Sequence, residues 1–359
     1  MRFVLFYHSL LSDWNHGNAH FLRGVVGELM SLGHDVRVME PSDGWSLTNL
    51  RGSQGEAAVE AFHTAYPQLR SELYELETLD LEPVLDAADV VIVHEWNDPV
   101  LVKRIGDHRR RSRFQLLFHD THHRAVSAPE KMAAFDLSNY DGVLAFGEVL
   151  RRIYEERGWA ARAWTWHEAA DIRMFHPQEL PKSLDLVWIG NWGDGERARE
   201  LQNFLLDPVH ELQLRARIFG VRYPPEALAA VERAHIEYGG WVANYRVPSL
   251  FASARFTVHV PRRFYSEQLP GIPTIRVFEA LACGIPLVCA PWEDSESLFV
   301  PGEDFLVARD GSEMRDHLRR LQAEPDFAQA IALRGFSTVR ARHTCAHRAR
   351  ELLSICKQE

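Results

Sequence analysis

Short apolar runs recur along the chain, each followed by a longer stretch in which apolar positions return every three or four residues. In the first half the runs are Phe3–His8, Val36–Glu40, Val90–His94, Gln115–His119 and Val143–Phe146. Their length and flanks suit buried strands. Between the first two, Phe21, Val25, Leu29 and Leu32 fall at helical spacing and Gly33 supplies a stop, which predicts a helix. A polar stretch around Met174 to Ser183, with Pro177 and Pro181, interrupts the rhythm. It resumes at Leu186–Gly190, Arg217–Phe219, Phe256–Val260, Leu287–Ala290 and Phe305–Ala308, with helical patterns such as Glu196–Leu206 and Pro225–Ala234 between. Alternation of this kind predicts parallel sheets covered by helices on both faces. The expected fold is therefore α/β: two Rossmann-like, doubly wound domains facing a central cleft, spanning 1–176 and 177–340. A final helix over 341–359 is expected to pack back toward the first domain. Ser42–Glu75, polar and helical-looking, reads as an insertion. In such folds ligands bind beyond the carboxyl ends of the strands.

Composition narrows the field. A chain of 359 residues favours two cores over one, and 46 % hydrophobic residues exclude a disordered chain. The net charge of −10 argues against nucleic acid as a partner, though a local cluster of arginines can still hold a small phosphorylated ligand. Cys283, Cys289, Cys345 and Cys356 form no C-x-x-C pair, so reduced core thiols and a cytoplasmic setting are expected. No apolar run approaches the ~20 residues of a membrane span. The opening MRFVLFYHSLL is broken by His8 and runs on into Asp13 and Trp14; it reads as a buried strand rather than a leader.

The most informative segment is Pro270–Gly284, PGIPTIRVFEALACG. Thr274 is placed to N-cap a helix from Ile275 to Cys283 that Gly284 closes. The amides of Ile275, Arg276 and Val277 would then face an anion at the positive end of the helix, with the Arg276 guanidinium beside them. Glu279, one turn on, leans toward the same end and could accept hydrogen bonds from the paired hydroxyls of a ribose. Diphosphate plus ribose suggests a nucleotide. The alternative is an ordinary helix with a solvent-facing glutamate.

The run RVFEALACGIPLVCAPW, continuing to LFVPGEDFLVARD, resembles the donor-binding segment of retaining, nucleotide-sugar-dependent GT-B glycosyltransferases, especially the bacterial spore-maturation-protein-like branch. HEAADIRMFHP (His167–Pro177) is similar to their inter-domain segment, and WIGNWGDGERARELQNFL (Trp188–Leu205) to the turn that opens their second domain. The resemblance covers most of residues 165–310. It implies a hexosyltransferase-type enzyme that moves a sugar from a UDP- or GDP-sugar to an unidentified acceptor, with retention and without metal or cofactor. The second domain would take the donor and the first the acceptor. Peripheral membrane contact is compatible with it; a membrane span is not expected.

Carried over by position, Glu279 matches the ribose-binding acid, and Arg276, Val277 and Thr274 the diphosphate-facing helix start. Gly271 stands where the family often has a second glutamate, so Glu267 or a backbone amide would substitute. Gly190, Asn191 and Trp192 stand at the turn where relatives carry Arg and Lys, with Arg197 and Arg199 downstream; Arg262 and Arg263 are further candidates for the diphosphate. His119 matches a histidine that relatives point at the donor sugar, with Asp120 to orient it. Trp14, Asn15, His16, Gly17 and Asn18 join the first strand to the first helix and are expected on the acceptor side. Trp14, Trp192 and Trp292 are expected in loops able to stack on a sugar or base. His16 and His20, and His119, His122 and His123, lack the spacing of a metal site. A nucleotide-sugar epimerase and a non-catalytic nucleotide- or glycan-binding relative are the competing readings; the first lacks an evident acid–base pair.

Overall fold

In the computed structural model, residues 1–193 and 195–357 are described. Asp194 of the WIGNWGDGERARELQNFL segment, and Gln358 and Glu359 of the expected last helix, lie outside the described residues. The chain forms two compact units: Met1–Glu168 together with the stretch from Cys345, and Ala169–Thr344. The changeovers thus fall at Glu168/Ala169 and Thr344/Cys345, not at 176 and 340. Both crossing points belong to one local structure, because Ala170 bridges Thr344 and donates its amide to the His343 carbonyl at 3.0 Å.

Unit 1 is built on seven parallel strands: β1 (Arg2–Phe6), β2 (Asp35–Pro41), β3 (Glu72–Tyr74), β4 (Val90–His94), β5 (Gln115–Asp120), β6 (Gly142–Ala145) and β7 (Ala163–Thr165). Their order is β3-β2-β1-β4-β5-β6-β7. Every residue of β4, β5 and β6 is buried, which is why these strands read as unbroken apolar runs. The connections leave β1 toward one edge and β4 toward the other, so the sheet reverses direction between these two strands. Ser42–Glu75 is no appendage. It forms helices Trp45–Gln54 and Ala57–Ala65 and then supplies the edge strand β3. The helix Cys345–Ile355 packs against Ala19–Ser31 within this unit. Trp166, fully buried, donates its indole N–H to the Arg348 carbonyl at 2.9 Å.

Unit 2 has six parallel strands: β8 (Leu184–Ile189), β9 (Ala216–Phe219), β10 (Glu237–Tyr238), β11 (Ala254–His259), β12 (Leu287–Cys289) and β13 (Leu306–Val307), in the order β10-β9-β8-β11-β12-β13. Here the reversal lies between β8 and β11. Trp188, Phe204, Ile218, Phe256 and Leu318 anchor its core. The helix expected at Glu196–Leu206 starts at Ala198, widens to a π-turn over Gln202–Leu206 and runs on to Glu211. The cysteines are free thiols, all buried except Cys356. Among the described residues no helix is long and apolar enough to cross a membrane.

Candidate active site

In unit 2 the chemistry collects where β8 and β11 end. The helix Ile275–Ala282 begins there, with Thr274 extended at its N-cap position. Thr274 does not cap with its side chain; its hydroxyl bonds Nε2 of His259 at 3.0 Å. The Val277 amide donates to the Thr274 carbonyl at 3.0 Å. Of the three amides expected to face an anion, then, Val277 is taken, while Ile275 and Arg276 begin a helix whose first N–H groups have no acceptor within it.

Glu279 is fully buried. Its Oε1 accepts from Asn244 Nδ2 at 2.7 Å, and its Oε2 forms an ion pair with Arg276. It is not a solvent-facing glutamate; the fold holds a carboxylate inside beside its own cation. Arg197 is buried too and donates to three main-chain carbonyls: Val260 at 2.9 Å, Trp192 at 3.4 Å, and Asn191. It thereby ties the loop after β8 to the loop after β11. Burial, reinforced by the nearby charges of Arg262 and Arg276, lowers its pKa to about 10. Burial, with Arg197 and Arg276 close by, brings His259 down to about 3, so its ring is neutral at physiological pH. Its Nδ1 has no hydrogen-bond partner among the described residues. Three guanidinium groups and a neutral imidazole thus gather at one sheet reversal.

Several expected residues are held by protein partners or stand elsewhere. Arg262 is paired with Glu196, and Arg263 turns to Glu200 at 2.9 Å. Trp192 is not a loop platform: it is buried in the core and packs on Tyr223 with ring centroids 5.7 Å apart. Trp292 is buried and donates to the Ile272 carbonyl at 3.0 Å. Asn191 accepts the Val221 amide at 2.8 Å, and Gly190 accepts the Tyr223 hydroxyl at 2.9 Å, so both shape the turn through protein contacts. Gly271 has φ +88°, and a Cβ there would sit 2.4 Å from Ser295 Oγ; a glutamate would need a strained left-handed backbone and a displaced Ser295 hydroxyl. Glu267 is mostly exposed, 3.8 Å from Arg263.

In unit 1, His119 and Asp120 do not meet. Neighbouring strand residues point to opposite faces. The fully buried His119 ring packs on Trp166 (4.8 Å), His94 (5.2 Å) and Phe21 (6.0 Å), whereas Asp120 accepts from Tyr154 Oη at 2.8 Å and the His122 amide at 3.0 Å. The pair therefore does not form the expected couple.

The Trp14–Asn18 loop is held firmly. Glu40 accepts from the amides of Leu10 (2.6 Å) and Leu11 (3.1 Å) and from the Ser9 and Ser71 hydroxyls. Arg23 donates to the carbonyls of Leu10 (2.8 Å) and Leu11 (3.2 Å) and pairs with Asp13. On this frame Trp14 meets Trp45 edge to face, Asn15 adopts a left-handed turn (φ 50°), Gly17 leads into the helix, and Asn18 reaches the Thr121 carbonyl at 3.1 Å. His16 is buried against His8.

Around it lies a group the motifs did not reveal: His8, His94, Glu95, Trp96 and Arg124. Burial lowers His8 and His94 to about 3. It raises Glu95 and Asp120 to about 7, each carboxylate feeling the other or Arg124. The signal that could have found both His259 and this group is positional: each follows, or closes, a strand at a sheet reversal.

Comparison with known proteins places this geometry in a class. Residues 197–354 match a family model described as glycosyl transferase-like. Solved structures match the whole chain. Sucrose-phosphate synthase of Thermosynechococcus elongatus is 14 % identical over 100 % of this chain and 98 % of its own, with a TM-score of 0.66. Anabaena HepE, in complex with UDP and glucose, is 14 % identical over 100 % of both chains, at 0.68. T4 phage BGT, in complex with its UDP-glucose substrate, is 12 % identical over 100 % of both, at 0.61. No curated protein sequence matches significantly. The fold is that of the GT-B glycosyltransferases, two Rossmann-like domains, and residues 197–354 are similar to the glycosyl transferase-like family.

Proposed function

We propose that this enzyme transfers a hexose from a nucleoside-diphosphate sugar, UDP- or GDP-linked, to a hydroxyl of an acceptor, with unit 2 binding the donor. The observation that carries the reading is the convergence of Arg197, Arg262 and Arg276 around His259 and Thr274, at the start of the Ile275–Ala282 helix. Like charges repel, and their gathering here favours an anion with several oxygens. Bound complexes of two neighbours, with UDP and glucose and with UDP-glucose, support a uridine diphosphate donor.

In this reading Arg276 turns from Glu279 to the diphosphate, and the carboxylate so released accepts the ribose hydroxyls. Arg262 leaves Glu196 for the second phosphate. Arg197 stays in place and holds the two loops in register. Cations facing the leaving group act on charge that develops as the anomeric C–O bond breaks, where a single positioned donor contributes ~3–4 kcal/mol. The departing phosphate oxygen takes the acceptor proton, the new bond forms on the same face, and no metal takes part. The free thiols suit a reducing, cytoplasmic setting.

A thermal-shift series with UDP, GDP, ADP and CMP tests the donor site. Saturation at ~100 dissociation constants stabilises by ~2.7 kcal/mol. UDP or GDP raises the midpoint and Arg276→Ala removes the rise; no response to any of the four overturns the reading. Release of free nucleoside diphosphate from a donor sugar only when acceptor is present then distinguishes transfer from epimerisation and from binding without turnover.

A further inference from the structure

The sheet of unit 2 has a second end. At the amino ends of its strands, away from the arginine cluster, lies a partly open cavity of about 430 Å³. The chain before β8, the starts of β11 and β12, and the helices Gly311–Ala323 and Pro325–Arg342 enclose it. Pro177, Pro286, Pro325, Ala332, Leu333 and Phe336 give it apolar walls. The Pro325–Arg342 helix is apolar on two sides. Ile331 and Val339 are buried in the unit, while Ala328, Ala332 and Phe336, four residues apart, line the cavity. Leu333 beside them is 54 % exposed. One apolar stripe is enough to seat a helix on its own core; the second has nothing of this unit to cover.

The charged groups on these walls are Lys182 and Arg255, and no acidic residue lines the cavity, in a chain whose net charge is −10. Arg255 is answered by Asp185 at 3.3 Å, a carboxylate that also meets Arg215 at 3.4 Å. Among the described residues Lys182 has no carboxylate partner. Its partly buried ammonium donates to the carbonyls of Ala252 at 2.9 Å and Ala254 at 2.8 Å, which sets it beside Arg255. An ammonium has three N–H donors, so one is left over. Burial lowers the Lys182 pKa, and no nearby charge opposes that shift. A cation held against an apolar cavity without a counter-ion carries a desolvation cost, which an anion at that place offsets.

We propose that this cavity binds an aliphatic carboxylate, its hydrocarbon chain along the Pro325–Arg342 helix and its head group at Lys182 and Arg255. The volume lies within the range of small-ligand pockets, which are mostly apolar with a few placed polar groups. A neutral chain leaves Lys182 unanswered, a cation meets both positive groups, and a small anion without a tail gains nothing from the walls. The donors select the head group. Lys182 offers one N–H and Arg255 already shares Asp185, which suits a single negative charge on two oxygens better than a dianionic phosphate. Arg255 stands four residues before His259 on β11, ~13 Å along the strand, so this site is separate from the arginine cluster and does not rest on the glycosyltransferase reading.

Calorimetric titration of the full chain tests this, with hexanoate, octanoate and decanoate as probes below their micelle concentrations, and decanol and decyl phosphate as controls. Decanoate binds, and affinity rises about two- to fourfold per methylene from hexanoate upward. Decanol binds at least about tenfold more weakly. Lys182→Met weakens decanoate by a similar factor and leaves decanol unchanged, which a merely structural lysine would not do. Leu333→Glu weakens both; Leu333 is exposed, so this variant keeps its urea midpoint and its fold. Absence of decanoate binding, equal affinity for decanol, tighter binding of decyl phosphate, or indifference to Leu333→Glu overturns the proposal. So does displacement of decanoate by UDP, which would put it at the arginine cluster instead.

Discussion

Arg276 and Glu279 are joined across one turn of the Ile275–Ala282 helix, the arginine side chain 27 % exposed and the carboxylate fully buried. The exposed partner can leave the pair for a ligand, and the buried one cannot follow it. Asn244, on the far side of the carboxylate at 2.7 Å, keeps Glu279 in place when the arginine moves.

This asymmetry separates the two substitutions. Arg276→Ala leaves the buried Glu279 carboxylate without its cation and lowers stability by about 3 kcal/mol, while the nucleotide response disappears. Glu279→Ala removes the buried charge itself and leaves a guanidinium that reaches solvent, so it costs less, about 1–2 kcal/mol. Urea unfolding of both variants checks the difference; equal losses would show that the pair is purely structural.

Unit 1 responds to pH through groups of opposite sign. Burial lowers His8, His16, His94 and His119, so the unfolded chain binds more protons at these sites than the native one below about pH 6.5, and stability there rises with pH. Burial raises Glu95 and Asp120 to about 7, and Glu40 as well, so between the ordinary carboxylate range and about pH 7 the native chain holds the extra protons and stability falls with pH. Four imidazoles outnumber the carboxylates, and each net proton is worth ~1.4 kcal/mol per pH unit. The thermal midpoint is therefore lower at pH 5 than at pH 6.5, and Glu95→Gln, which removes an opposing group, steepens that rise. A midpoint that is flat or higher at pH 5 contradicts the assignment.

Ten short apolar runs announced their strands, most plainly in β4, β5 and β6, where burial on both faces leaves no polar positions to alternate with. The strands that escaped, β3, β7 and β10, are edges of two or three residues, too short to carry a period. The Ile275–Ala282 helix was legible for a similar reason: Thr274, Arg276, Glu279 and Gly284 lie within one segment and mark its start, its charge and its stop. What sequence could not show was which side chains the fold turns inward. Trp192 reads like a loop aromatic until β8 and Tyr223 close over it, and His119 sits beside Asp120 in the chain but on the opposite face of β5. Arg197 serves carbonyls from three residues, two of them in its own turn and one at Val260, a long-range contact that no local pattern encodes.

Gly271 accepts a larger side chain only at a cost. Its left-handed backbone (φ +88°) costs a side-chain-bearing residue ~1–2 kcal/mol, and Ser295 Oγ and Glu296 stand where the side chain would begin. Gly271→Ala is destabilised by at least that amount, and Gly271→Glu by more, with no gain in transfer. A Gly271→Glu variant of unchanged midpoint and higher turnover would show that the loop can open to admit it.

Arg197 is an arginine whose donors the fold itself consumes. Its guanidinium meets the carbonyls of Asn191, Trp192 and Val260, and burial brings its pKa down to about 10, still far enough above neutrality to keep it charged. A lysine carries the same charge on one compact group and cannot span three carbonyls with fixed geometry. Arg197→Lys therefore leaves carbonyls unpaired and loses about 2–3 kcal/mol of stability, and Arg197→Met loses a comparable amount without the buried charge. Because Arg197 joins the loops after β8 and β11, both variants also weaken nucleoside diphosphate binding, although Arg262 and Arg276 remain. Calorimetric titration with UDP measures this directly. Full affinity in Arg197→Lys would mean that the two loops keep their register without it, and that the cationic cluster needs only its two outer members.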